Sequence, residues 1–154
     1  MDVDVNLGEL IHRGGVYFNV KGKTPQEIYH TISKAAHLPA ELSSETLYNE
    51  LCQREELMST AVGNGIALPH PRYPLLKKLD EQRIIVCFLD NPLIMNAPDA
   101  KPVYVMLILL TSSSQVHLKV LSQLAFLFQK KEFRSILEKK PGEPELITAV
   151  KKNL

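Results

Sequence analysis

Cysteine is scarce in this chain: Cys52 and Cys87 stand alone among 154 residues, with no CxxC spacing. Two such residues cannot make a disulfide framework, and a reduced, cytoplasmic compartment is the expectation. An excess of either charge is also lacking. Eighteen Lys and Arg against 17 Asp and Glu leave a formal charge of +1, so neither nucleic-acid binding nor attachment to a membrane surface is expected. Long apolar runs are missing: Val105 to Leu110 is far too short to span a bilayer. The opening MDVDVNLGEL is acidic and has no apolar core, so no signal peptide is expected. There is no GxSxG and hence no nucleophile elbow. Gly63-Asn64-Gly65 is not followed by Lys-Ser/Thr, so it is not a phosphate-cradling P-loop. Two histidines with two scattered cysteines form no metal-ligand pattern, and neither a metal nor a cofactor is expected. Internal repeats and low-complexity tracts are absent.

What is present is an ordinary globular composition, 45% apolar and 23% charged, which predicts one domain over 1–154 with a real core. Leu7 to Ile11 reads as a short first element and His12-Arg13-Gly14-Gly15 as a turn. Val16 to Val20 is a β-rich run. Thr24-Pro25-Gln26-Glu27 is a helix start, with Thr24 as N-cap, Pro25 at the first position and Glu27 in capping-box spacing. Ile28, Ile32, Ala35 and Ala36 follow at helical spacing, and Leu38-Pro39 should end that helix. Ser43 or Ser44 caps a second helix to about Leu57. Arg83 to Leu89 and Val103 to Leu110 are nearly continuous apolar runs of buried-strand type, the second expected at the centre of the sheet. Asp90-Asn91-Pro92 should break the first run, with Leu93 to Met95 a short edge piece. A helix to about Gln129 follows, with Ser112 and Gln115 in capping-box spacing and Val116, Val120, Leu124 and Leu127 on its inner face. Two last helices flank Pro141-Gly142. The pattern predicts an α/β fold with helices on both faces of a buried sheet.

One stretch stands apart: Arg54 to Arg72, REELMSTAVGNGIALPHPR. Asn64-Gly65 is a strong tight-turn signal between short apolar pieces. Pro69 and Pro71 lack an N–H and have a fixed φ, and Pro71 pushes His70 toward extended backbone. A stiff loop should therefore display the His70 imidazole. At about 100° per residue, Leu51, Arg54 and Met58 fall within roughly 40° of Leu47 on the second helix. Arg54 thus projects from the apolar side near the helix end. Taken alone, it is more commonly a snorkelling side chain or a partner for the C-terminal dipole. Aimed where His70 lies, it becomes a candidate anion ligand. His117 falls in the first turn of the helix after the second buried strand, and alone it is more commonly a core or capping histidine. His12, His30 and His37 are assigned to the surface. An imidazole is a good nucleophile at neutral pH, and a phosphoryl group needs cationic and N–H donors around it. Together the three residues suit histidine phosphotransfer.

Arg54-Glu55, Ser59-Thr60, Gly63-Asn64-Gly65-Ile66-Ala67 and Pro69-His70 resemble the signature of type-2 IIA components of the bacterial phosphoenolpyruvate-dependent phosphotransferase system, the fructose, mannitol and nitrogen-regulatory family. His117-Leu118 with Leu121 to Ala125 is similar to the family's second-histidine motif, and Asp99, Pro102 and Val103 to its turn into a strand. The resemblance covers about residues 7–150. It implies a three-layer α/β/α domain with a mixed sheet. It also implies that His70 accepts phosphate from the histidine phosphocarrier protein, with His117 and Arg54 as phosphate-stabilising partners. The onward partner would be a IIB component in sugar uptake or a target protein in nitrogen-type regulation. Regulation is favoured, because no IIB or membrane part is fused to this sequence. Departures from the family pattern are Ala61 where Gly is common, Pro71 where a small residue follows the histidine, and Thr111-Ser112-Ser113 in place of a proline-containing loop.

Overall fold

The computed structural model describes residues 4–154. Its elements in order are α1 (Leu7–Gly14), β1 (Val16–Val20), α2 (Pro25–Ala35), α3 (Ser44–Leu57), β2 (Ala61–Gly63), β3 (Ile66–Ala67), β4 (Arg83–Leu93), β5 (Val103–Leu110), α4 (Ser114–Gln129), α5 (Lys131–Glu138) and α6 (Glu143–Asn153). The five strands form one sheet in the order β1-β4-β5-β3-β2. β1 runs parallel to β4, β4 antiparallel to β5, β5 parallel to β3 and β3 antiparallel to β2. The sheet is therefore mixed, and β5 lies at its centre as the sequence predicts.

The apolar runs of β4 and β5 are continuous because both faces of the sheet are covered. Side chains alternate between faces. Ile84, Val86 and Phe88, with Val105, Leu107 and Leu109, pack with α1, α4, α5 and α6. Ile85, Cys87 and Leu89, with Met106, Ile108 and Leu110, pack with α2 and α3. The result is the expected α/β/α sandwich. α1 lies so close to the sheet that a Cβ on Gly14 would stand 1.9 Å from the Ile84 carbonyl oxygen, so no other residue fits there.

The local signals at helix starts are realised in detail. The Thr24 side chain accepts from the Glu27 N–H at 3.1 Å, and Glu27 reaches back to the Lys23 N–H at 3.1 Å. Ser43 caps α3 by accepting from the Thr46 N–H at 3.1 Å.

Several boundaries differ from the expectation. His12, Arg13 and Gly14 belong to α1, which ends where Gly15 turns to φ 87° and its N–H closes on Ile11 O. α2 ends at Ala35, ahead of Leu38-Pro39, because Ala36 is already extended; Ala35 is exposed, and Tyr29 and Ser33 are buried instead. Asp90-Asn91-Pro92 does not break β4. The pairing with β5 skips from Phe88–Val105 to Leu93–Val103, so an irregularity absorbs these residues and the strand runs on to Leu93. Ile94 and Met95 lie beyond it. The cap of α4 is Ser113, one residue later than expected, and Ser112 is occupied elsewhere.

Candidate functional site

The site begins with a turn. Ala61 pairs with Ala67 and Gly63 with Ile66, which leaves Asn64-Gly65 as the two-residue loop between β2 and β3. Both loop residues have positive φ, 56° and 79°, as a mirror-image type I′ turn requires. Gly65 is needed twice over, since a Cβ there would also stand 2.5 Å from Cδ1 of Tyr104. Asp99 pins the turn from outside: its carboxylate accepts from the Asn64 N–H at 2.8 Å and the Lys101 N–H at 3.1 Å. These bonds hold its pKa below the usual carboxylate value, the one from Asn64 most of all.

From this turn β3 runs parallel to β5, so both strands finish at the same edge of the sheet. The loop after β3 carries His70, and the loop after β5 leads into α4 and His117. That shared edge explains why two histidines far apart in sequence meet. Pro69 O accepts from the Leu109 N–H at 2.9 Å, locking the proline-framed loop to the end of β5. On the other side, Gln82 lies buried and its Oε1 accepts from the Ser112 N–H at 2.8 Å and the Ser112 hydroxyl at 2.9 Å. Ser113 then caps α4 through the Val116 N–H at 3.2 Å. Both loops are thus held by bonds that leave the two histidine rings out.

The His70 and His117 rings stand 4.6 Å apart between centroids, tilted by 48°. His70 Nδ1 lies 2.8 Å from Leu68 O. A carbonyl only accepts, so Nδ1 carries the proton and Nε2 keeps its lone pair. Burial lowers the His70 pKa; the Leu68 carbonyl opposes this, Arg54 adds to it and Glu55 opposes it. His117 is lowered further, to about 4, first by burial and then by His70 and Arg54. Burial above all keeps this ring neutral at pH 7, with one N–H to donate.

Arg54 is partly buried in the last turn of α3, and its Nη1 donates to Met58 O at 2.6 Å. It serves a carbonyl just past its own helix, and its positive charge lowers the pKa of both histidine rings. Met58 does not share the inner face with Leu47 and Leu51. It is extended at φ −169°, where the helix has already stopped, and 70% exposed. His12, His30 and His37 are exposed, as expected.

The rings border a cleft of about 90 Å³ that Arg72, Leu109, Thr111 and Ser114 also line. The free N–H groups of the first turn of α4 lie beside it. Sequence reasoning gave Arg72, Thr111 and Ser114 no role at the site; the signal for them was their position just after His70 or just after β5. Glu55 stood in the Arg54 to His70 signature without a role; its carboxylate accepts from the Tyr29 hydroxyl, the Thr60 N–H at 2.9 Å and the Thr60 hydroxyl at 2.7 Å. Among the described residues, no cluster of His, Cys, Asp and Glu could hold a metal ion, and no helix is long and apolar enough to cross a membrane.

Comparison with known proteins gives three kinds of match. Residues 9–153 fit the family model described as "Phosphoenolpyruvate-dependent sugar phosphotransferase system, EIIA 2". The "Nitrogen regulatory protein" of Pseudomonas aeruginosa is 31% identical over 150 residues, which is 95% of each chain. The "PTS system 2-O-alpha-mannosyl-D-glycerate-specific EIIABC component" of Escherichia coli is 26% identical over 151 residues, 95% of this chain but 22% of that protein. Among solved structures, the "Nitrogen Regulatory Protein IIA-Ntr" of Neisseria meningitidis superposes with a TM-score of 0.80 at 27% identity, over 93% of this chain and 97% of that one.

Proposed function

Because this chain belongs to the EIIA 2 family of the phosphoenolpyruvate-dependent sugar phosphotransferase system, we propose that it accepts a phosphoryl group on Nε2 of His70 from the histidine phosphocarrier protein. The observation that carries this reading is the bond from His70 Nδ1 to Leu68 O at 2.8 Å. It leaves Nε2 unprotonated beside a second, neutral histidine.

The Nε2 lone pair attacks phosphorus in line, and the N–P bond of the donor breaks with its electron pair returning to the donor imidazole. Positive charge develops on the His70 ring as the new bond forms, and the Leu68 carbonyl faces that charge. The lowered pKa keeps the lone pair free at neutral pH. Burial favours the neutral ring and the phosphoryl group favours cationic donors, so the site supplies both: desolvation for the nucleophile, Arg54 and the His117 N–H for the phosphate oxygens. The backbone N–H groups at the start of α4 add to them. Pro71 supplies no N–H, and the donors named above come from α3 and α4. Exposed apolar side chains follow or adjoin the site residues in sequence: Leu57 and Met58 after Arg54, Tyr73 after His70, Leu118 after His117. They suit a docking face for protein donors and acceptors.

Onward transfer separates two branches. The nitrogen-regulatory branch is favoured because the Pseudomonas relative matches over 95% of its own length. In that branch the phosphorylation state governs binding to a target protein. The sugar-uptake branch, with a IIB component as acceptor, is supported by the multidomain Escherichia coli relative, of which this chain spans 22%. Incubation with phosphoenolpyruvate, the first enzyme of the system and the phosphocarrier should label the wild type and leave His70→Ala unlabelled. Label retained in His70→Ala would refute the assignment. Transfer of that label to a IIB protein would select the sugar branch.

A further inference from the structure

The carboxylate of Glu55 has an unusual set of partners for a charge on the last turn of a helix. Three neutral donors converge on it: the Tyr29 hydroxyl, the Thr60 N–H at 2.9 Å and the Thr60 hydroxyl at 2.7 Å. Tyr29 is fully buried under α3. No cation is paired with Glu55 among the described residues, and its neighbour Arg54 donates to Met58 O instead. Adjacent helix residues do not face one another, so these two side chains leave the helix in different directions.

The bonds continue from Glu55 toward the reacting ring. Thr60 O accepts from the Leu68 N–H at 2.9 Å. Leu68 O in turn accepts from His70 Nδ1 at 2.8 Å. One carboxylate therefore ties the end of α3, which carries Arg54, to the backbone that sets the tautomer and direction of the His70 ring. Resting on the assignment of His70 as phosphoacceptor, we propose that Glu55 is a positioning residue for phosphoryl transfer: through Thr60 and Leu68 it fixes the His70 imidazole relative to Arg54. Its charge also reaches the His70 ring, opposing the effects of burial and of Arg54. The fixing is mechanical, because the N–H and C=O of Thr60 belong to different peptide units.

Three variants separate this role from bulk stability. Glu55→Gln removes the charge and offers one acceptor oxygen where three donors converge. Tyr29→Phe leaves the charge and both Thr60 bonds. Thr60→Val keeps the backbone N–H and loses the hydroxyl. Ring ¹⁵N–¹H spectra of the unphosphorylated proteins report the tautomer and titration of His70, and rapid-quench labelling reports uptake from the phosphocarrier. A misplaced acceptor ring loses on the order of 10- to 100-fold in rate. Glu55→Gln is therefore expected to slow uptake by about that factor at saturating phosphocarrier, with KM little changed. The Nδ1–H tautomer of His70 should be less populated, and its titration should move to lower pH. Tyr29→Phe should leave the titration midpoint in place. A folded Glu55→Gln with wild-type tautomer, titration and uptake overturns the proposal. If Glu55→Gln does not fold, Thr60→Val decides: a several-fold slower uptake at unchanged KM supports the clamp, and wild-type kinetics overturn it. Absence of label in the wild type would instead refute His70 as phosphoacceptor, and the ring spectra would still test whether Glu55 holds the imidazole.

Discussion

Acid should weaken this fold through His117, and the size of the effect follows from its surroundings. Burial, His70 and Arg54 together lower the ring from 6.5 to about 4. Between those values the unfolded chain binds a proton that the folded chain refuses, so stability rises with pH there and is lost as pH falls. At about 1.4 kcal/mol per pH unit, a wholly enclosed ring would lose roughly 3 kcal/mol across that window. The His117 ring is only partly buried and borders the cleft, where solvent screens the charge, so about 1 kcal/mol is expected. Urea unfolding of wild type and His117→Gln at pH 7 and pH 4.5 isolates this contribution, because glutamine does not titrate. The stability difference, wild type minus variant, should fall by about 1 kcal/mol on acidification. A difference that stays flat, or that rises in acid, would mean that His117 is not a neutral, half-buried ring in the field of Arg54 and His70. The same variant keeps a hydrogen-bond donor, so it should retain part of the phosphoryl transfer that His117→Ala loses.

Other perturbations test other parts of the site. Arg54→Ala removes one bond, to Met58 O, and should cost about 1 kcal/mol, a melting shift of roughly 2–4 °C for a chain of this size; phosphoryl uptake should fall far more, and His117 should titrate at higher pH. Uptake that tracks only the loss of folded protein would make Arg54 structural. Gly65→Ala places a Cβ 2.5 Å from Tyr104 in a left-handed backbone position and should destabilise by at least about 1–3 kcal/mol; a calorimetric melt at the wild-type temperature would contradict the turn assignment. Leu124→Ala empties a fully covered site on α4 and should cost about 2–5 kcal/mol in urea while leaving uptake per folded molecule unchanged, and a selective loss of uptake would tie the core of α4 to the chemistry.

The layers and the stiff loop around His70 were legible because their causes are local. Continuous apolar runs, such as Val103 to Leu110, mark strands covered on both faces, and Thr24-Pro25-Gln26-Glu27 states a helix start in four residues. Pro69-His70-Pro71 announces a rigid display before any packing is known. What escaped depends on distant partners. Ser112 looked like the cap of α4 because its fit with Gln115 is visible in sequence; its engagement by Gln82 is not, and that frees Ser113 to cap. Asp90-Asn91-Pro92 looked like a stop, yet pairing with β5 on both sides carries the strand through it. Glu55 was visible only as a neighbour of Arg54, since Tyr29 lies a helix away. The meeting of His70 and His117 needed the parallel pairing of β3 with β5, which spacing along the chain does not encode.

The most direct measurement is the position of the phosphoryl group itself. The protein, phosphorylated through the phosphocarrier and kept at alkaline pH, can be read by ³¹P and ¹H–¹⁵N correlation spectra of the histidine rings. The hydrogen bond from Nδ1 of His70 to Leu68 predicts phosphorus coupled to Nε2 of His70, with the His117 ring unmodified and its N–H shifted by the new acceptor. Phosphorus on Nδ1 of His70, or on either nitrogen of His117, would contradict it.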